Sequence, residues 1–171
     1  MITKELITDI RNQFQIDWHG IHGISHWNRV YENGTRLATR TGVNHVVVQL
    51  FSIFHDACRH NEGIDPKHGP RGAELAAQYR ATHFQSLPDD EFEQLFIACF
   101  LHTSASTHDD ITVQTCFDSD RLDLGRVGTI PDPQYLCTAP AKSEDMINWA
   151  LENSEWGRVP DNILGQYVLQ N

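Results

Sequence analysis

Positive charge is scarce in this sequence. Its 171 residues carry 13 lysines and arginines against 23 acids, a net charge of −10 with histidine neutral. That balance speaks against a general nucleic-acid-binding surface. It still admits a small phosphorylated substrate, because a few local cations and a metal ion outvote the global charge. Long apolar runs are missing too: none approaches the roughly 18 residues of a transmembrane helix, so no membrane partner is expected. The four cysteines, Cys58, Cys99, Cys116 and Cys137, show no Cys-x-x-Cys spacing. They read as reduced core thiols of a cytoplasmic protein, not as a zinc cluster or disulfides. The opening MITKELITDIRNQ is amphipathic and carries acids, unlike a secretory signal. The glycine-containing pieces lack the spacing of a phosphate loop, and no serine sits in a nucleophile elbow.

What is present is helical periodicity. From Ser25, a plausible cap, to about Arg40, the residues Trp27, Val30, Tyr31, Leu37 and Ala38 recur at three and four, leaving Asn28, Glu32 and Arg36 outside. A second helix, apolar nearly all round, is expected from about Asn44 to Cys58. Pro70 opens a third, and the acids after Ser86 start a fourth, with Phe92, Leu95, Phe96 and Cys99 inward. Residues 121–141, rich in proline and glycine, read as a long irregular segment before a C-terminal helix over about 143–151. The expectation is an all-α bundle of at least five helices, in a single domain over 1–171.

One stretch of the buried helix breaks its own pattern. LFSIFHDACRHNE, residues 50–62, starts as core and then places His55 beside Asp56, with Arg59 four residues after His55. Charged groups are seldom buried unless paired or metal-bound. His26 shares the inward stripe of the first of these helices, and His102 extends that of Leu95 and Cys99. Adjacent helical residues diverge by about 100°, so His55 and Asp56 both hold one ion only if it sits between their directions. Imidazole and carboxylate together suit a divalent metal. Asp118 and Asp120 offer further carboxylates.

The ordered set His26, His55-Asp56 and Asp120 resembles the HD-domain superfamily of metal-dependent phosphohydrolases. HGISHWNRV is similar to that family's first-histidine helix, FSIFHDACR to its His-Asp helix, and FDSDRLDLGRVG to its closing aspartate segment. The resemblance spans about residues 20–128 and implies an all-α fold. It also implies that His26, His55, Asp56 and Asp120 ligate a divalent ion (Mn, Fe, Ni, Co or Zn), with Asp118 and Asp123 as alternatives to Asp120. HGPRGAELA resembles the third-histidine segment of dinuclear members. His68 and His102 are therefore either ligands of a second metal or phosphate-binding groups.

Arg29 lies three residues after His26, and Arg71 stands at the start of the third helix. With Arg59 they are the candidate phosphate-binding cations. Some nucleotide-cleaving relatives carry a glutamate near the position of Arg59. Its lack here casts Asp56 as the candidate catalytic carboxylate, beside Arg29 and Arg59. His83 reads as structural, and His19, His22, His45, His60 and His108 receive no role. The expected activity is hydrolysis of a nucleotide or other small phosphorylated metabolite. The alternatives are a dinuclear-iron oxygenase and a non-catalytic nucleotide-binding domain.

Overall fold

A computed structural model describes residues 1–155 and 157–169, and its regular secondary structure is entirely helical. The α-helices are α1 Lys4–Gln13, α2 Ile24–Thr41, α3 His45–Phe54, α4 His68–His83, α5 Asp89–Leu101, α6 Ile111–Arg121, α7 Glu144–Glu155 and α8 Gly165–Val168, with 3-10 turns at Leu122–Val127 and Pro133–Tyr135. The all-α expectation holds. Among the described residues no helix is long and apolar enough to cross a membrane.

The centre of the bundle is α3, which packs against α2, α4, α5 and α6. Its sequence dictates that place. Val47, Val48, Leu50, Phe51, Ile53 and Phe54 are all completely buried, and a helix that is apolar all round has no face to give to water. The Asn44 side chain caps it, accepting from the Val46 N–H at 2.8 Å. This helix stops at Phe54 and not at Cys58 as the periodicity suggests, so His55 is its C-cap. The chain then tightens through Ala57 N–H to Phe54 O (3.3 Å) and Arg59 N–H to Asp56 O (3.2 Å). His55 itself keeps helical backbone angles, φ −56° and ψ −41°, so the turn begins after it.

Other boundaries shift for local reasons. Gly23, not Ser25, is the N-cap of α2, and the helix ends at Gly42, whose φ of 77° is left-handed. Asn28, expected outside, is fully buried because its Nδ2 donates to the Pro160 carbonyl (3.2 Å), where the C-terminal segment crosses α2. Phe92 and Phe96, expected inward, are half-buried. Helix α4 starts at His68, two residues before Pro70. The proline sits in the first turn, where its missing N–H has no intrahelical partner to lose.

Helix α6 has no counterpart in the periodicity, because Ile111, Thr112, Val113 and Thr115 are β-branched and weak helix formers. Asp110 compensates by accepting from the Thr112 and Val113 N–H groups (2.7 and 3.3 Å). Asp118, near the other end, ties down the irregular stretch beyond. It accepts from Cys137 N–H (2.7 Å), Thr138 N–H (2.8 Å) and the Thr138 hydroxyl (2.8 Å). A second apolar cluster of Leu37, Leu122, Leu136, Met146 and Ile147 seats that stretch and α7 on α2.

Gly72 of α4 lies against the end of α3. A Cβ at this position would stand 2.2 Å from the Phe54 carbonyl oxygen, which is backbone and cannot swing aside. Gly72→Ala is therefore expected to push α4 off the turn that presents His55 and Asp56. Overpacking of this kind costs about 1–3 kcal/mol. Thermal melting should show a drop of several degrees, and a variant as stable as the wild type would refute this close approach.

Candidate metal centre

Five segments deliver side chains to one place. His26 comes from the first turn of α2, His55 and Asp56 from the end of α3, and His68 from the first residue of α4. His102 is the C-cap of α5, and Asp120 lies near the end of α6. Four of them cluster as His26, His55 and Asp120 with Asp56 alongside. His26 Nε2 is 3.0 Å from His55 Nε2, 3.4 Å from Asp120 Oδ1 and 3.6 Å from Asp56 Oδ2. Asp56 turns its other oxygen to a second group, with Oδ1 3.0 Å from His68 Nε2, which is itself 2.9 Å from His102 Nε2. His26 and His55 are completely buried, and Asp56, His68 and His102 nearly so.

The hydrogen bonds on the far side of each ring decide what these close approaches mean. His55 Nδ1–H donates to the Phe51 and Ser52 carbonyls (3.2 and 3.1 Å). His68 Nδ1–H donates to the Asp65 carbonyl (2.5 Å), and His102 Nδ1–H to the Cys99 carbonyl (2.7 Å). His26 Nδ1–H donates to the Asp123 carboxylate (2.7 Å). Carbonyls and carboxylates only accept, so every one of these rings carries its proton on Nδ1 and points a bare Nε2 lone pair inward. With all four rings neutral, two pairs of lone pairs therefore face each other at about hydrogen-bond distance, beside two carboxylates, with Arg59 Nη1 3.3 Å from His68 Nε2.

Such an array repels itself unless a cation sits within it. Donor atoms bound to one ion at about 2.0–2.1 Å necessarily lie near 3 Å apart, as these do. The groups His26–His55–Asp120, Asp56–His68–His102 and His22–His26–Asp56 each bring their donor atoms within 4.8 Å of one another. An N/O donor set without thiolate suits Mn, Fe, Co, Ni or Zn. The residues fit a divalent metal ion.

Local electrostatics agree. Burial drives His55 down to about 3 from its ordinary 6.5, and burial also lowers His102. Burial alone would raise Asp56 and Asp120. Positive charge taken up by the rings around them in acid, His55 foremost for Asp56 and His26 for Asp120, together with the His22 hydrogen bond to Asp56, outweighs it and holds both carboxyls well below the usual range. Neutral rings and ionised carboxylates are the forms that ligate.

The remaining candidates separate by position. Asp118 lies away from the cluster on the Cys137–Thr138 backbone, and burial pushes its carboxyl up. Asp123 stands behind His26. Arg29 does not reach the cleft, because its Nε and Nη2 donate to Asp123 at 2.6 and 3.1 Å. Arg71 is also drawn elsewhere, to Asp65 (2.5 Å) and the Cys58 carbonyl (2.9 Å), and lines a separate groove behind the His-Asp turn. Arg59 does line the cleft over the site, 3.4 Å from Asp56 Oδ1, with Nη2 donating to Gly63 O (2.6 Å).

Two participants escape the sequence reading. His22 donates from Nδ1 to Asp56 Oδ2 (2.8 Å). Its only sequence signal is the spacing of four to His26, and it precedes α2, so helical periodicity does not reach it. Arg126 lines the same cleft from the 3-10 turn after α6. His83 meets Asp9 (3.1 Å), far from the site, in agreement with a structural role. No protein-family model, curated protein or solved structure matches the chain.

Asp123 fixes the His26 tautomer and makes the ring a better donor, an arrangement whose loss typically costs about 10–100-fold in metal affinity. Asp123→Asn should weaken metal binding by that order while helicity by circular dichroism persists. Unchanged affinity would remove Asp123 from the site. Stability should also depend on pH. With His55 and His102 lowered, the unfolded chain binds more protons than the folded one below about pH 6.5. The depressed Asp56 and Asp120 add to this below about pH 4. The melting temperature of metal-free protein should fall steadily from pH 7 to pH 4; a flat or rising profile contradicts the assignment.

Proposed function

We propose that the chain is an HD-domain-type, metal-dependent phosphohydrolase of the cytoplasm that acts on a small phosphorylated metabolite. The observation that carries the reading is the convergence of bare imidazole lone pairs and carboxylates from His26, His55, Asp56 and Asp120. The ordered resemblance of these segments to the HD superfamily gives that convergence a reaction class. His68 and His102, grouped with Asp56, supply donors for a second ion. A divalent ion held there lowers the pKa of bound water toward neutrality and polarises a phosphoryl oxygen.

The chain's own residues would do the rest. Asp56 belongs to both donor groups and keeps them in register, and His22 holds it through the Oδ2 hydrogen bond. Asp123 and Arg29 steady His26 from behind. Arg59 and Arg126 border the cleft, where a guanidinium stabilises charge that builds on phosphate oxygens in the transition state. Arg29, engaged by Asp123, acts in this scheme as a positioning residue.

The contact between the two donor groups favours one rival, a dinuclear-iron oxygenase. Its marks would be iron in the purified protein and oxygen uptake with an organic substrate. Phosphate release from a panel of phosphorylated metabolites, with each divalent metal added in turn, tests the hydrolase reading. His55→Ala and Asp56→Ala should lose metal and activity together while remaining helical. Arg59→Ala should keep its metal and lose roughly a hundredfold in rate, about 3 kcal/mol of transition-state stabilisation. Full metal occupancy in both ligand variants would end the assignment.

A further inference from the structure

The cleft above the metal site has a volume of about 210 Å³. Pockets for drug-sized or cofactor-sized ligands run to roughly 300–1,000 Å³ and are walled mainly by hydrophobic and aromatic side chains. This cleft is smaller, open to solvent, and lined by polar residue types. Apart from the proposed ligands, its lining consists of His22, Arg59, Thr103 and Arg126. Among the described residues it offers neither a Phe, Tyr or Trp ring nor an aliphatic wall, which are the surfaces that retain a nucleobase.

The two arginines are built in. Arg59 is held by the Gly63 and Asn61 carbonyls (2.6 and 3.3 Å). Arg126 donates from Nε to Ile21 O (3.0 Å) and from Nη1 to Asp123 O (3.0 Å). Carbonyls fix a guanidinium without neutralising it, and the one carboxylate facing Arg59, Asp56 (3.4 Å), is shared with His22 and His68. The nearest carboxylate oxygen to Arg126 is Asp123 Oδ2 at 3.9 Å, and that group is already shared by Arg29 and His26. Two preorganised cations on different segments, 59 after α3 and 126 after α6, thus border a small open cleft whose lining holds no aromatic or aliphatic side chain to grip a large organic group.

We propose, resting on the hydrolase reading, that the cleft takes a compact, hydroxylated phosphomonoester and discriminates against nucleotides and phosphodiesters. A monoester dianion matches the paired arginines in charge, whereas a diester carries one charge fewer and a second organic arm. The polar remainder, including Thr103 and His22, suits hydroxyl groups on a short carbon chain.

The test uses the full chain loaded with Mn²⁺ and the non-hydrolysable methylene phosphonate analogues of glycerol phosphate and adenosine monophosphate, with calorimetric titration as the readout. The glycerol analogue should bind at least tenfold more tightly, and Arg126→Ala should weaken it by at least tenfold with metal content unchanged. Equal or tighter binding of the adenosine analogue overturns the inference, as does failure of both analogues to bind. Phosphate release from the parent esters judges the hydrolase reading separately. Selective binding without release keeps this ligand class and discards the reaction.

Discussion

Everything in this fold answers to the mutual repulsion of unprotonated imidazole nitrogens at its centre. Burying one such lone pair without a partner is already costly. Here four are brought face to face, next to carboxylates that burial alone would discharge. The protein imposes the arrangement by securing each ring from behind, three of them on carbonyls of their own or the adjoining segment. The Ser52 and Cys99 carbonyls are available because His55 and His102 stand at helix C-termini, where backbone acceptors lack intrahelical donors. The polar atoms of the helix ends and the donor set of the site are therefore parts of one network, and Arg59 and His22 are the side chains that offer protons into it.

The parts legible in the sequence were those governed by helical periodicity. His26 and His102 lie on apolar stripes, and the apolar belt of α3 announces its central place. The His55-Asp56 pair stands out because charged residues do not belong at the end of such a belt. The limits were equally physical. The end of α3 lies against Gly72 at the Phe54 carbonyl, a contact between distant segments that periodicity cannot register. Helix α6 is written in β-branched residues and rests on a capping carboxylate and tertiary packing. Arg29 has an acid at helical spacing in Glu32, three residues on, yet the acid it meets is Asp123, from the far end of the fold. Local patterns thus indicate which side chains point inward, but not which of them meet.

The choice between Asp118 and Asp120 shows the same limit. The two residues are separated by one position on α6, and the order of motifs favoured Asp120. The structure divides them by direction, with Asp120 toward His26 and Asp118 toward the backbone of Cys137 and Thr138. Residues two apart on a helix face nearly opposite ways, so the helix end serves the site with one carboxylate and anchors the following chain with the other.

That anchoring gives the molecule a mechanical grain. Asp120, Asp123 and Arg126 follow one another within a single short span, and the stretch between it and α7 has little regular structure and is held by Asp118 and the small cluster around Leu37 and Met146. The large cluster draws mainly on α1 to α6, with Leu164 and Tyr167 joining it from the C-terminal segment. Proteins open in cooperative pieces whose free energies lie below the global value. A partial opening that lifts the 3-10 turn and the stretch behind it would withdraw the tautomer-fixing carboxylate and a rim cation in one event, leaving the helices intact. The centre is in this sense clasped between a large apolar body and a smaller one.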